Sequence, residues 1–224
     1  MNVTIPKSAF TFLSKLEKNN NRDWFNNNKK EFQAIQKEVN AFFEVIKNNL
    51  NQHDDIDKLK MFRIYRDVRF SKNKAPYKTN FGGSFHRTKP KLRGGYYIHI
   101  EPGESFIATG FWQPEPADLL RIRKEFEMDD SEMRDILNNT DIKTLWGNIE
   151  GEAVKTAPKG FDKEHKAIDL IRKKQYYFIR KFSDKEVTGS QFFSEVTTSF
   201  KAIRPYFDYM SDVLTTDLNG VSVI

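Results

Sequence analysis

The chain has 224 residues, 37 Lys and Arg against 31 Asp and Glu for a formal net charge of +6, and no Cys. That length fits one large domain or two small ones with a buried core, and the missing Cys excludes a disulfide scaffold, a thiolate metal site and a cysteine nucleophile. No run of about 18 apolar residues exists to span a bilayer as a helix, and Met1 to Phe10 has one Lys and no apolar block, unlike a signal peptide; the expectation is a cytoplasmic protein with no membrane partner.

In chain order, Pro6 and Ser8 suit a helix start, followed by Phe10, Leu13 and Leu16. Asn19-Asn20-Asn21 breaks that helix, Asp23-Trp24-Phe25 opens a second turn, and Asn26-Asn27-Asn28 interrupts again. These Asn clusters read as caps and turns, because their neighbours are periodic. A longer helix follows, with Phe32, Ile35, Val39, Phe42 or Phe43, Ile46 and Leu50 at intervals of three and four. Over 61–70 the period changes to two, with Phe62, Ile64, Val68 and Phe70 on one side and Met61, Arg63, Tyr65, Asp67 and Arg69 on the other, which predicts a strand. Arg66 breaks the alternation. Thr79 to His86 predicts a second strand, loosened by Gly82-Gly83, whose expected role, like that of Gly94-Gly95, is conformational freedom.

Tyr96–Ile100 and Ser105–Thr109 flank Glu101-Pro102-Gly103-Glu104, the chemistry of a type II turn, so a hairpin is expected. Pro114 and Pro116 open short helices, and Gln175–Lys181 reads as a further strand. Ser183 and Glu186 fit a capping box. A last long helix begins near Ser190 and carries Phe193, Val196, Phe200, Ile203, Phe207, Met210 and Leu214, with Pro205 expected to kink or split it. The expected architecture is α+β in a single domain. A mostly antiparallel meander over 61–112 plus a strand near 175–181 is covered by helices of the 6–50 and 114–217 regions. Hydrophobic residues make up only 38 %, so the twenty Phe, eight Tyr and three Trp are expected to supply the core.

Several of these stretches are familiar. Met61 to Thr79, reading MFRIYRDVRFSKNKAPYKT, resembles the signature of domain of unknown function family 2461. Asn20 to Phe25, Gly95 to Gly103 and Pro158 to Asp162 are similar to it as well, so the resemblance covers nearly the whole chain. It implies an intracellular single-domain protein, and it transfers no activity and no catalytic residue.

The charge is concentrated. Lys58 to Arg93 holds twelve Lys or Arg and one acid, Asp67, a net +11, while the other 188 residues sum to −5. A field gathered this way favours an anionic partner. The candidate ligand-binding residues are Arg63, Arg66, Arg69, Lys72, Lys74, Tyr77 and Lys78, with Thr79 among them; guanidinium forks and ammonium groups hold phosphate or carboxylate. The competing reading is an ion-pair network, with Asp67 braced by arginines and the lysines solvated. Arg66 is either turned outward by a bulge, paired inside with an acid such as Glu101, or waiting for a ligand in a pocket.

His99 beside Glu101 is the one candidate acid–base pair, or a weak metal pair, against a plain cross-strand polar contact on the surface of the sheet. No His, Asp or Glu set has metal-helix spacing, and no phosphate loop or nucleophile elbow appears, so neither metal nor cofactor is expected. Three functions stay open: a pocket for a phosphorylated or carboxylated small molecule, a nucleic-acid-binding module using the same basic and aromatic segment, and an interaction domain whose cations are consumed by internal acids.

Overall fold

The computed structural model describes residues 4–224. Five strands lie side by side in chain order as an antiparallel sheet: β1 (Ile56–Met61), β2 (Phe81–Arg87), β3 (Gly95–Ile100), β4 (Phe106–Phe111) and β5 (Tyr176–Lys181). Three helices precede β1: α1 (Lys7–Lys18), α2 (Arg22–Asn27) and α3 (Lys29–Leu50). Four lie between β4 and β5: α4 (Pro116–Met128), α5 (Ser131–Asn138), α6 (Thr140–Trp146) and α7 (Ile168–Ile171). Three follow: α8 (Asp184–Val187), α9 (Phe192–Ala202) and α10 (Arg204–Thr215). The class is α+β, as the sequence pattern predicts.

The chain forms two compact units. The first comprises the segment ending at Phe85, Tyr97–Ile107 and Lys181–Thr197. Its helices pack through their periodic aromatic residues. Phe32 of α3 stacks on Phe81 with centroids 5.9 Å apart, Phe43 stacks on Phe85 at 5.9 Å, and Phe42 stacks on Phe192 at 5.5 Å. The Asn clusters behave as expected where they bear on helix ends: the Asn21 side chain caps α2 by accepting from Trp24 N at 2.9 Å. The capping box at Ser183 and Glu186 forms with both of its bonds. The turn at Glu101–Glu104 forms too, with Gly103 at φ +77° and Glu104 N donating to Glu101 O at 3.1 Å.

The second unit comprises His86–Tyr96, Ala108–Arg180 and Thr198–Ile224. Here α10 sets Phe207 against Tyr96 at 5.0 Å and against Phe111 at 6.3 Å. Pro205 falls in the first turn of α10, separating it from α9, which is the split the sequence predicts. Two cations of the basic run are structural in this unit. Arg87, 2 % exposed, donates to Arg93 O, Phe207 O and Ser211 Oγ and lies over the Phe207 ring. Arg93 donates to Leu214 O and pairs with Asp118.

The predicted strand over 61–70 is corrected. Regular pairing in β1 covers Ile56–Met61, and beyond it Phe62 N still bonds Gly82 O at 2.9 Å. Residues 64–66 then pair briefly with 76–78, through Lys78 N to Ile64 O at 2.7 Å and Arg66 N to Pro76 O at 2.9 Å, around a Tyr65–Tyr77 bridge. The alternation fails past Ile64: Val68 is half-exposed and Phe70 is 96 % exposed. Asp67 supplies the reason, because its carboxylate accepts from the backbone N of Arg69 at 3.2 Å and offers the chain a turn in place of a ladder. The second strand correspondingly begins at Phe81.

Gly82 and Gly83 are also corrected in role. Neither has positive φ; what they supply is space. A Cβ on Gly82 would stand 2.8 Å from the Tyr97 hydroxyl, and one on Gly83 would stand 2.8 Å from Met61 Sδ.

Candidate functional site

Within the first unit, the brief pairing of 64–66 with 76–78 leaves a pocket of about 380 Å³ lined by Asn20, Arg66, Lys78, Thr79 and Asn80, with Glu17 as its one lining carboxylate. Asn20 builds one wall by acting as a short strand. Its Nδ2 donates to Tyr77 O at 3.0 Å and its Oδ1 accepts from Tyr77 N at 3.1 Å. Tyr77 is thereby held buried and stacked on Phe25, with centroids 4.0 Å apart. Asn20→Ala leaves a half-buried N–H and C=O unpaired and is expected to cost about 2 kcal/mol. Chemical denaturation checks this; a loss under about 0.5 kcal/mol would mean water replaces the clamp.

The cations are unevenly used. Arg66 is half-buried; it donates to Ala75 O at 3.3 Å and to Ser71 Oγ at 3.4 Å, and it meets no carboxylate among the described residues. Neither the outward bulge nor an internal acid describes it, and Glu101 is engaged elsewhere. Lys78 is half-buried as well, and its Nζ has only the Phe62 ring, 5.3 Å away, as a described contact. Burial first, and the nearby Arg63 guanidinium second, hold the Lys78 ammonium below the ordinary lysine range. Glu17 pairs with neither cation.

The remaining members of the sequence-predicted set lie apart from this pair. Arg63 is exposed beside Lys78. Arg69 is folded onto Asp67, with Nη2 to Oδ2 at 2.6 Å, and does not line the pocket. The Arg63 and Arg69 side chains therefore do not share a strand face. Lys74 stitches the loop through Val68 O at 3.0 Å, and Lys72 is exposed.

A second polar group adjoins the pocket through Thr79 and Asn80. Thr79 Oγ1 donates to Glu101 Oε1 at 2.5 Å, and His99 Nε2 donates to Glu101 Oε2 at 2.7 Å. The other imidazole nitrogen, Nδ1, lies 2.9 Å from the Tyr97 hydroxyl and 3.1 Å from Asn80 Nδ2. Burial, and then the Glu101 charge, push Tyr97 up to about 12, so it stays a hydroxyl that donates to Nδ1. Asn80 is a donor too. Nδ1 is then the acceptor and Nε2 carries the proton toward Glu101. Phe106 stacks on the imidazole at 4.7 Å and fixes its plane.

Sequence reasoning found His99 and Glu101 but missed Tyr97, Asn80 and Asn20. Tyr97 was accessible from parity, since residues 97, 99 and 101 share one side of β3 and its extension. Asn20 carries no such signal, because its partner Tyr77 lies 57 residues away.

The second unit has a larger cavity, about 570 Å³, whose lining cations are Arg134, Lys143, Arg172 and Lys173. Arg134 is held by Asp169 at 2.5 Å and by Asp130 at 2.9 Å, and Lys173 donates to Ile149 O at 3.2 Å with Asp169 nearby. The smaller pocket is lined by cations of the basic run, Arg66 and Lys78. Among the described residues no group of three or more His, Cys, Asp or Glu is placed to hold a metal ion, and no helix is long and apolar enough to cross a membrane.

A family model described as conserved hypothetical protein (DUF2461) matches residues 8–209. No curated protein and no solved structure matches the chain.

Proposed function

The chain belongs to the DUF2461 family of conserved hypothetical proteins, and from that premise we propose that the pocket at Arg66 and Lys78 binds a phosphorylated or carboxylated small molecule. The observation that carries this is unpaired charge: among the described residues, half-buried Arg66 and Lys78 line one pocket and neither is paired with a carboxylate, including Glu17 on its wall. Partial burial makes such an arrangement costly until an anion arrives. The guanidinium supplies a planar fork and the ammonium a point charge, a pairing that suits phosphate. Arg63, exposed beside Lys78, adds long-range attraction.

A second reading has an observation of its own. Phe70 is 96 % exposed and Tyr65 48 % exposed on the same basic arm, an arrangement that suits stacking of single-stranded bases.

One experiment separates the two readings. Thermal unfolding is followed with inorganic phosphate, sugar phosphates, nucleotides and short oligonucleotides, each at low and high salt. A pocket ligand at 100 times its Kd stabilises by about 2.7 kcal/mol and largely keeps that shift in salt. Single-stranded binding through about six phosphates would instead lose affinity with a log–log salt slope near −4. No shift with any small anion would overturn the pocket reading.

A further inference from the structure

We propose that Thr79 is a nucleophile for cleavage of phosphomonoesters, with Glu101 as its base and His99 as a positioning residue. This rests on the anion pocket proposed above and adds chemistry to it. Thr79 lines the same pocket as Arg66 and Lys78, so a phosphoryl group held by those cations shares the pocket with this residue. The hydroxyl already points its proton at Glu101 Oε1, 2.5 Å away. The second carboxylate oxygen is held by His99 Nε2 at 2.7 Å, and the imidazole is in turn held by Tyr97, Asn80 and the Phe106 ring. Nucleophile, base and a group orienting the base, each within hydrogen-bond reach of the next, is the arrangement that activates an otherwise unreactive hydroxyl.

The steps balance without a further reactant except water. Thr79 Oγ1 attacks phosphorus as the bond from phosphorus to the ester oxygen breaks. The Thr79 proton passes to Glu101 and then to the departing oxygen, giving phosphothreonine and the free alcohol. Water then attacks phosphorus, the bond to Thr79 Oγ1 breaks, and the proton lost by water travels through Glu101 back to Thr79, releasing inorganic phosphate. Arg66 and Lys78 hold the phosphoryl oxygens throughout, where charge accumulates.

The test uses 4-nitrophenyl phosphate with the full chain. The expected results are a burst of 4-nitrophenolate matching the protein concentration and, after acid quench, one phosphoryl group on Thr79 by mass spectrometry. Thr79→Val should lose the burst and slow turnover by about 100-fold or more, while Thr79→Ser keeps both. Glu101→Gln should also lose about 100-fold or more in kcat. His99→Gln should lower kcat with KM unchanged, which a merely structural histidine would not do selectively. Binding is read in parallel as the stabilisation of each variant by inorganic phosphate. Phosphate binding with no phosphothreonine, or with Thr79→Val turning over at the parent rate, overturns the nucleophile and leaves the pocket standing. Absence of phosphate stabilisation in the parent chain overturns the pocket and this chemistry together.

Discussion

Lys78→Met is expected to remove stabilisation by phosphate while leaving the unliganded protein as stable as the parent, or slightly more so. Folding lowers the pKa of Lys78, through burial first and Arg63 second. The unfolded chain therefore holds this proton more tightly than the folded one. Stability rises with pH through the window between the lowered value and the ordinary lysine value, and at neutral pH the charged side chain is a cost. Methionine removes that cost and keeps a flexible apolar stem against Phe62.

Binding responds in the opposite direction. A charged hydrogen-bond donor to phosphate is worth about 1.5–3 kcal/mol, so affinity should fall about 10- to 100-fold. At a phosphate concentration of 100 times the parent Kd, a 100-fold loss reduces stabilisation from about 2.7 to about 0.4 kcal/mol. The same linkage makes phosphate binding by the parent weaken as pH rises through the lowered Lys78 pKa. Thermal unfolding of both proteins over a phosphate series decides the matter. A variant that is less stable without phosphate but keeps its phosphate shift would make Lys78 a structural residue.

Gly110→Ala should cost on the order of 3 kcal/mol or more of stability, combining backbone strain with overpacking. Gly110 lies in β4 at φ +123°, and an added Cβ would stand 2.4 Å from the Tyr176 carbonyl oxygen and 2.7 Å from Tyr177 Cα in β5. Those atoms are backbone and cannot rotate away. The turn glycine is the control: Gly103 has φ +77° with nothing within 4 Å of its Cβ position, so Gly103→Ala should cost only the strain, about 1 kcal/mol. Urea unfolding with an unchanged m-value measures both. Equal losses at the two positions would show that strand β5 moves to accept the methyl group.

Much of the fold was legible in the sequence. The spacing of Phe32, Ile35, Val39, Phe42 and Ile46 marked the buried face of α3, and those side chains are buried. Pro102-Gly103 marked the hairpin turn, Ser183 and Glu186 a helix start, and Pro205 the division between the last two helices. Each of these signals is carried by residues within a few positions of one another. Where the same logic was applied to 61–70, it met a competitor that spacing does not reveal: the Asp67 carboxylate bonds its own backbone and diverts the strand.

The site was legible only in part. The excess of cations between Lys58 and Arg93, and the presence of His99 two residues before Glu101, are properties of composition and spacing, and the sequence alone determined them. Which cations have counter-charges was decided by tertiary structure. Arg87 and Arg93 are absorbed by carbonyls and a carboxylate of other elements, Arg69 by Asp67, while among the described residues Arg66 and Lys78 line a pocket whose Glu17 carboxylate pairs with neither. The physical reason is distance along the chain. Helical and strand periodicity arise from backbone geometry within a few residues, whereas the pairing of a charge depends on contacts such as that of Thr79 with Glu101, 22 residues apart, which exist only once the strands have docked.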